Sequence, residues 1–159
     1  MANFVKSLLV MAVVLLCNNL QAQNTKPATS KTFQKFTPPK LTTALGIRTD
    51  SAVVDREEAV QLVTLPLKIT DAKKNVYTIS SYQVTYKRKA VTEDEETGKV
   101  TPIMSNVSQL FKETPLPALW KNILTEQMRP GEELYFFDII VKDAQGRVMY
   151  APTLSIKIK

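Results

Sequence analysis

The chain of 159 residues has no histidine and one cysteine, Cys17. Without an imidazole it lacks the commonest general base near neutral pH and one of the usual zinc ligands. Cys17 lies so close to the start that N-terminal processing would remove it. Thiol catalysis, a cysteine metal site and a disulfide framework are therefore not expected. Glycine is scarce, with four residues, and none sits in a phosphate-cradling loop. Acidic residues are outnumbered 15 to 21, giving a net charge of +6. That excess is scattered. Lys87, Arg88 and Lys89 form the only tight basic cluster, and Glu93, Asp94, Glu95 and Glu96 follow to oppose it. Both runs read as solvated hairpin ends. A nucleic-acid surface needs a basic stripe with interleaved aromatics, so no nucleic-acid partner is expected.

Long apolar runs are also few. The uninterrupted one is Leu8 to Leu16. It is about half the ~20 residues that a membrane-spanning helix requires. With Lys6 before it and the polar exit Asn18 to Ala22 behind it, residues 1–22 read as a secretory signal peptide. The expected cut follows Ala22 and leaves Gln23 at the new N-terminus. The rival is a lipoprotein signal ending at Cys17, but Leu16 is a poor fit to the small residue that lipidation requires there. The expected location is the periplasm or outside the cell, with no integral membrane span after cleavage. About 135 residues remain, enough for one domain that buries roughly two thirds of its unfolded surface.

Residues 23–40 are rich in Thr, Ser, Lys, Pro and Gln and end at Pro38-Pro39. They read as a flexible tether in which Phe33 and Phe36 are exceptions. Globular texture spans residues 41–159. Ser51 to Ala59 is expected to form a short helical turn capped by Asp55. Gln61 to Thr70 alternates as a strand, and Pro66 marks it as an edge or bulged strand. Asp71 to Asn75 is a turn. Val76 to Val91 is the longest β signal, with Tyr82, Val84 and Tyr86 on one face. The acidic run forms a loop, and Lys99 to Ser108 returns as a strand.

Thr114-Pro115-Leu116-Pro117 opens the one clear helix. Its apolar stripe is Leu116, Leu119, Trp120, Ile123, Leu124 and Met128, and Pro130-Gly131 ends it. Trp120 is expected in the core rather than exposed. Residues 133–141 form a strand with Leu134, Phe136, Asp138 and Ile140 on one face. Tyr135, Phe137, Ile139 and Val141 make the other, wholly apolar face. Val148, Tyr150, Pro152, Leu154, Ile156 and Ile158 alternate along the final strand. Alternating strands joined by short turns predict a mainly β protein, an antiparallel sandwich with one short crossover helix.

Catalytic chemistry is not expected. The only dense carboxylates are Glu93 to Glu96, with no aromatic platform beside them and without the alternate spacing of a calcium loop. No catalytic, cofactor-binding or metal-ligating residue is assigned, and no cofactor. A sugar site would need exposed aromatics on one face, and Tyr77, Tyr82 and Tyr86 are the only set that could supply them.

Two stretches resemble a known family. The first comprises Pro38-Pro39-Lys40, Gly46-Ile47-Arg48 and Asn75-Val76-Tyr77-Thr78-Ile79-Ser80-Ser81-Tyr82-Gln83-Val84-Thr85-Tyr86. These are similar to the entry of the C-terminal domain of the gliding-motility protein GldM, whose type IX secretion counterpart is PorM. The second is Leu124 to Ile139. It resembles that family's helix, its R-x-G-x-x-x-x-F turn (Arg129, Gly131, Phe136) and its F-x-x-I strand (Phe136, Ile139). Asp143 to Arg147 resembles its P-D-G-x hairpin turn. The resemblance covers about residues 38 to 159 and its motifs are structural. It implies an immunoglobulin-like, non-enzymatic periplasmic domain that contacts envelope or secretion-machinery proteins, and it carries over no catalytic residue. The family's transmembrane helix and earlier periplasmic domains are not recognised. The expectation is therefore a terminal, partner-facing module on a short tether. The alternative is an independent secreted β-sandwich that binds carbohydrate or peptide.

Overall fold

The computed structural model describes residues 36–159. The signal peptide, its cut after Ala22, the lipoprotein alternative and most of the tether lie outside the described residues. Thr37–Lys159 form one compact unit. In chain order its elements are β1 (Leu41–Leu45), β2 (Arg48–Thr49), β3 (Ser51–Val54), α1 (Arg56–Thr64), β4 (Leu67–Asp71) and β5 (Val76–Glu93). They continue with β6 (Val100–Phe111), α2 (Ala118–Gln127), β7 (Glu133–Lys142), β8 (Val148–Ala151) and β9 (Leu154–Ile158).

The unit is mainly β, and its sheet is nearly closed. Strand order is β2-β1-β4-β5-β7-β9-β3, with β6 beside β5 and β8 beside β7. Two strands serve two sets of neighbours each. The start of β5 pairs with β4, through Ile69 and Thr70, and its later residues pair with β6. The first half of β7 pairs with β9 and its second half with β8. Those changes of partner bend the sheet round a core that includes Ile69, Tyr82, Leu134, Phe136, Leu154 and Ile156. The Thr43 hydroxyl donates to the Pro152 carbonyl at 2.5 Å and ties β1 to the β8–β9 connection. Pairing is antiparallel throughout except that β3 runs parallel to β9, a departure from the all-antiparallel expectation.

Helix content is the first correction, because the described residues form two helices. Asp55 caps α1 as expected, accepting from the Glu58 amide at 2.7 Å. The helix then continues through Thr64, across residues whose alternation had suggested a strand. Its buried residues are Ala59, Leu62 and Val63, a three-and-four spacing that suits a helix on a core. Pro66 explains the stop. A residue before proline is pushed out of the helical region, and Leu65 is extended with ψ 152°. Pro66 therefore precedes β4 rather than interrupting it, and β4 is flanked by β1 and β5, so it is not an edge.

Helix α2 begins at Ala118 with Pro117 at its cap, and buries Trp120 and Leu124. Leu116 before it and Met128 after it are also buried, but Leu119 is exposed. The apolar stripe is one row narrower than the sequence suggested. Arg56 of α1 donates to the carbonyls of Met128 and Thr125 at 3.0 and 2.9 Å, satisfying the open end of α2 and fastening the helices together.

The closing strands need the second correction. In β7 the buried residues are Leu134 and Phe136, then Ile139 and Val141. The switch of face occurs at exposed Asp138, which adopts φ +47°. Gln83 pairs with Phe137, yet Ser81 pairs with Ile140, so β7 carries one extra residue there; β5 recovers the register between Ile79 and Ser81. Paired bulges thus turn both strands over together. The wholly apolar second face of the sequence reading does not exist as one surface. Tyr135 and Phe137 are half-buried outside, whereas Ile139 and Val141 are in the core. The final strand is likewise two strands broken at Pro152-Thr153. Met149 is buried in β8, and Val148 and Tyr150 face solvent.

Candidate interaction surface

Strand β6 is the long free edge of the sheet. Among the described residues it pairs only with β5. Its register with β5 runs without a shift from Phe111 opposite Tyr82 to Val100 opposite Glu93. Pairing between β5 and β7 ends at Lys87 and Glu133, so beyond that level β5 and β6 continue as a two-stranded arm. Nearly every residue of β6 is exposed, including Val100, Ile103, Met104, Val107 and Leu110. From Val100 to Phe111 there is no charged side chain. Natural edge strands are usually short, bulged, covered or charged, because a bare edge is a template for another strand. This one is 12 residues long and flat in register. Pro102 near the arm's tip is its one blunting residue.

The arm is anchored by a residue that sequence reasoning missed. Glu132 is buried, 1% exposed, in the turn between α2 and β7. One carboxylate oxygen accepts from the Lys89 amide at 2.9 Å. The other accepts from the Arg129 amide at 2.8 Å and from the Tyr86 hydroxyl. A buried charge is tolerated where hydrogen bonds satisfy it, and here three donors converge. Burial, and then that bond to Glu132, push the Tyr86 hydroxyl far above its ordinary range. Glu132 looks like any solvated acid in sequence; two of its three partners, Tyr86 and Lys89, lie more than 40 residues away.

Between the arm and this turn lies an open groove of ≈ 530 Å³. Val91, Pro102, Ile103 and Met104 give it an apolar floor, and Lys89 and Arg129 contribute its cations. Among the described residues, neither cation has a carboxylate within ion-pair distance.

The basic cluster sits elsewhere than expected. Lys87 to Lys89 lie partway along β5 and not at the hairpin end. Lys87 pairs with Glu133 at 3.0 Å rather than with the acidic run, and Arg88 reaches Gln127 at 3.3 Å. The Ser155 hydroxyl and Lys87 hold Glu133 below the usual carboxylate range. Glu93 to Glu96 form the exposed end of the arm. Asp94 spends its side chain on the turn, accepting from the Glu96 and Thr97 amides and the Thr97 hydroxyl. Those bonds, that from the Thr97 hydroxyl foremost, lower the Asp94 carboxyl. Among the described residues no group of three or more Asp, Glu, His or Cys side chains is placed to hold a metal.

Tyr77, Tyr82 and Tyr86 are all buried, so they make no exposed aromatic platform. Tyr82 stacks on Phe136 and donates to the Glu113 carbonyl at 2.9 Å. Trp120 is buried against Phe111, with rings 5.2 Å apart and edge-to-face, and its Nε1 donates to Gln109 at 2.5 Å. The strand edge expected near Pro66 is paired, and the apolar face expected on β7 is split by the bulge. The surface that remains is β6. No helix among the described residues is long and apolar enough to cross a membrane. No family model matches the chain, and none of the curated proteins matches it.

Proposed function

We propose that this chain is an exported, non-enzymatic protein–protein interaction module of the bacterial envelope. Its fold is read as an immunoglobulin-like β-sandwich of the GldM C-terminal type, and its partners as envelope proteins of the type IX secretion or gliding machinery. The observation that carries the reading is β6, a long, uncharged, exposed edge that no other element among the described residues pairs with on its outer side. Main-chain groups along such an edge give affinity, and neighbouring pockets give specificity. The polar groups in the interior point the same way. The Glu132, Tyr82 and Trp120 side chains are each occupied by a structural hydrogen bond. None is left poised beside a cavity for proton transfer or nucleophilic attack.

The test is affinity capture by the tagged chain from an envelope extract of a type IX-secreting bacterium, followed by mass spectrometry. Enrichment of secretion-ring or other envelope proteins over a tag-only control supports the reading. Recovery of none sinks it. N-terminal analysis of the exported chain checks the location, with Gln23 expected as the first residue.

A further inference from the structure

We propose that β6 pairs antiparallel with β6 of a second copy, about a two-fold axis through Val107, so that two chains share one continuous sheet. The occupant of the edge is the chain itself, which goes beyond the envelope-partner reading and does not depend on it. Met104 of each copy then faces Leu110 of the other, and Asn106 faces Ser108.

Two observations orient the edge. Pro102 lies opposite Val91 and has no N–H to give it, so its main chain faces outward. Lys89 lies opposite Met104, and its amide goes to Glu132 and not to β6, so Met104 faces outward as well. Alternation then turns the amides of Met104, Asn106, Ser108 and Leu110 outward, where no strand among the described residues meets them. Those are the groups that an added strand must bond.

The residues of the edge select the strand that fits it. A two-fold contact is self-complementary: where residue i meets j, j also meets i. Read outward from Val107 in both directions, Asn106 matches Ser108, Ser105 matches Gln109, Met104 matches Leu110 and Ile103 matches Phe111. Polar meets polar and apolar meets apolar over nine residues. Moving the axis to Asn106 sets Val107 against Ser105 and Met104 against Ser108. Moving it to Ser108 sets Val107 against Gln109 and Leu110 against Asn106. Pro102 falls beyond the matched pairs, so its missing N–H costs no bond within them. Ile103 to Phe111 carries no charge, so two copies with a net charge of +6 meet here without opposing like charges. An acidic or basic partner strand finds no counter-charge along the same residues. Nine residues a side is less than half of a standard interface, so the dimer is expected to be weak, with a Kd of about 10–100 μM. A tighter strand-adding partner can displace it.

The test is sedimentation velocity of the exported chain from about 1 μM to about 1 mM, with amide exchange at both ends of the series. A monomer–dimer transition is expected. The Met104, Asn106, Ser108 and Leu110 amides should exchange fast in the monomer and slowly in the dimer. Val107→Lys sets two cations against each other at the axis and should leave a monomer. Cysteine variants give a readout that loss of folding cannot mimic. The central pair is non-hydrogen-bonded, with Cα atoms about 4.5 Å apart, so Val107→Cys should cross-link under mild oxidation. Ser105→Cys alone, or Gln109→Cys alone, holds its two thiols roughly 14 Å apart along the ladder and should not cross-link. A mixture of those two variants should. Cys17 lies ahead of the expected cut, so no other thiol competes. A chain that stays monomeric to about 1 mM overturns the proposal. So do equal cross-linking of the three single-cysteine variants and a dimer that survives Val107→Lys. Slow exchange of the four amides in a monomer overturns it too, and gives the edge to the chain's own N-terminal segment. A monomeric chain that captures envelope proteins fails here and leaves the envelope reading standing. A dimer that captures none does the reverse.

Discussion

The Tyr86 hydroxyl donates to the Glu132 carboxylate in the interior, joining the middle of β5 to the turn that starts β7. Two main-chain amides, from Lys89 and Arg129, complete the shell of that carboxylate. The bonding is asymmetric, and the asymmetry sets the cost of each substitution. Tyr86→Phe removes one donor and leaves two, a loss of about 1 kcal/mol. Glu132→Ala strands three buried donors and opens a void, and should cost about 3–5 kcal/mol. Glu132→Gln keeps one acceptor but turns an amide donor towards N–H groups, and should fall between. Urea denaturation followed by far-UV circular dichroism measures all three. A cost for Glu132→Ala no larger than that for Tyr86→Phe would remove Glu132 from its place as the anchor of the arm.

Alkaline stability follows from the buried tyrosines. Burial pushes the Tyr82 hydroxyl up to about 12, from an ordinary value of 10.0. The folded chain therefore holds that proton more tightly than the unfolded chain does. The stabilising contribution is full below pH ~10, where both states are protonated, and is lost between about pH 10 and 12 as the unfolded tyrosine ionises. The loss is on the order of 2–3 kcal/mol from Tyr82. Tyr86 shifts in the same direction and adds to it. Urea midpoints at pH 9, 10, 11 and 12 should fall steeply above pH 10. Tyr82→Phe should flatten that fall while lowering the midpoint at neutral pH. A parent chain with no fall between pH 10 and 12 would contradict the burial argument.

What could be seen in the sequence was what short-range periodicity encodes. Tyr82, Val84 and Tyr86 alternate into the core as expected, and so do Leu154, Ile156 and Ile158. Asp55 at its cap and the Asp71 and Asp143 turns were also visible, because side-chain-to-backbone bonds over a few residues set them. Alternation misled wherever an irregularity inverted it. Asp138 changes the face of β7, and the break at Pro152 inverts β8 relative to β9. At Gln61 to Thr64 two periods competed, and burial of Leu62 and Val63 under α1 decided for the helix. The docking edge was hidden for another reason. Being an edge depends on which strands lie alongside, and the chain around β6 carries no local mark of a missing neighbour. Only its lack of charge was visible, and that acquired meaning once the pairing was known.

The paired bulges make a specific claim about Asp138. Its φ of +47° is a conformation that β-branched side chains avoid and that Asp tolerates. Asp138→Val should cost about 1–3 kcal/mol although the residue is exposed. Asp138→Gly relieves the backbone but gives up the 3.0 Å bond from Gln83, so it should lie within about 1 kcal/mol of the parent. An ordinary exposed strand position predicts the opposite order, with Val favoured over Gly. Thermal midpoints of the two variants decide between these orders.

Trp120 is the only tryptophan, and it joins α2 to the base of β6. That makes it a reporter of both packing and docking. It is 8% exposed, so its emission should be blue-shifted and weakly quenched by acrylamide. Trp120→Ala should cost about 3–5 kcal/mol through lost burial and the void left beside Phe111. Trp120→Phe keeps most of the apolar contact but loses the bond to Gln109, and should cost about 1–2 kcal/mol. The Gln109 side chain projects from β6 itself. A strand that adds to this edge and orders Gln109 should therefore change Trp120 emission without unfolding. Acrylamide quenching of the parent as strong as that of free tryptophan would place the indole at the surface. It would then remove α2 as the support beneath the docking edge.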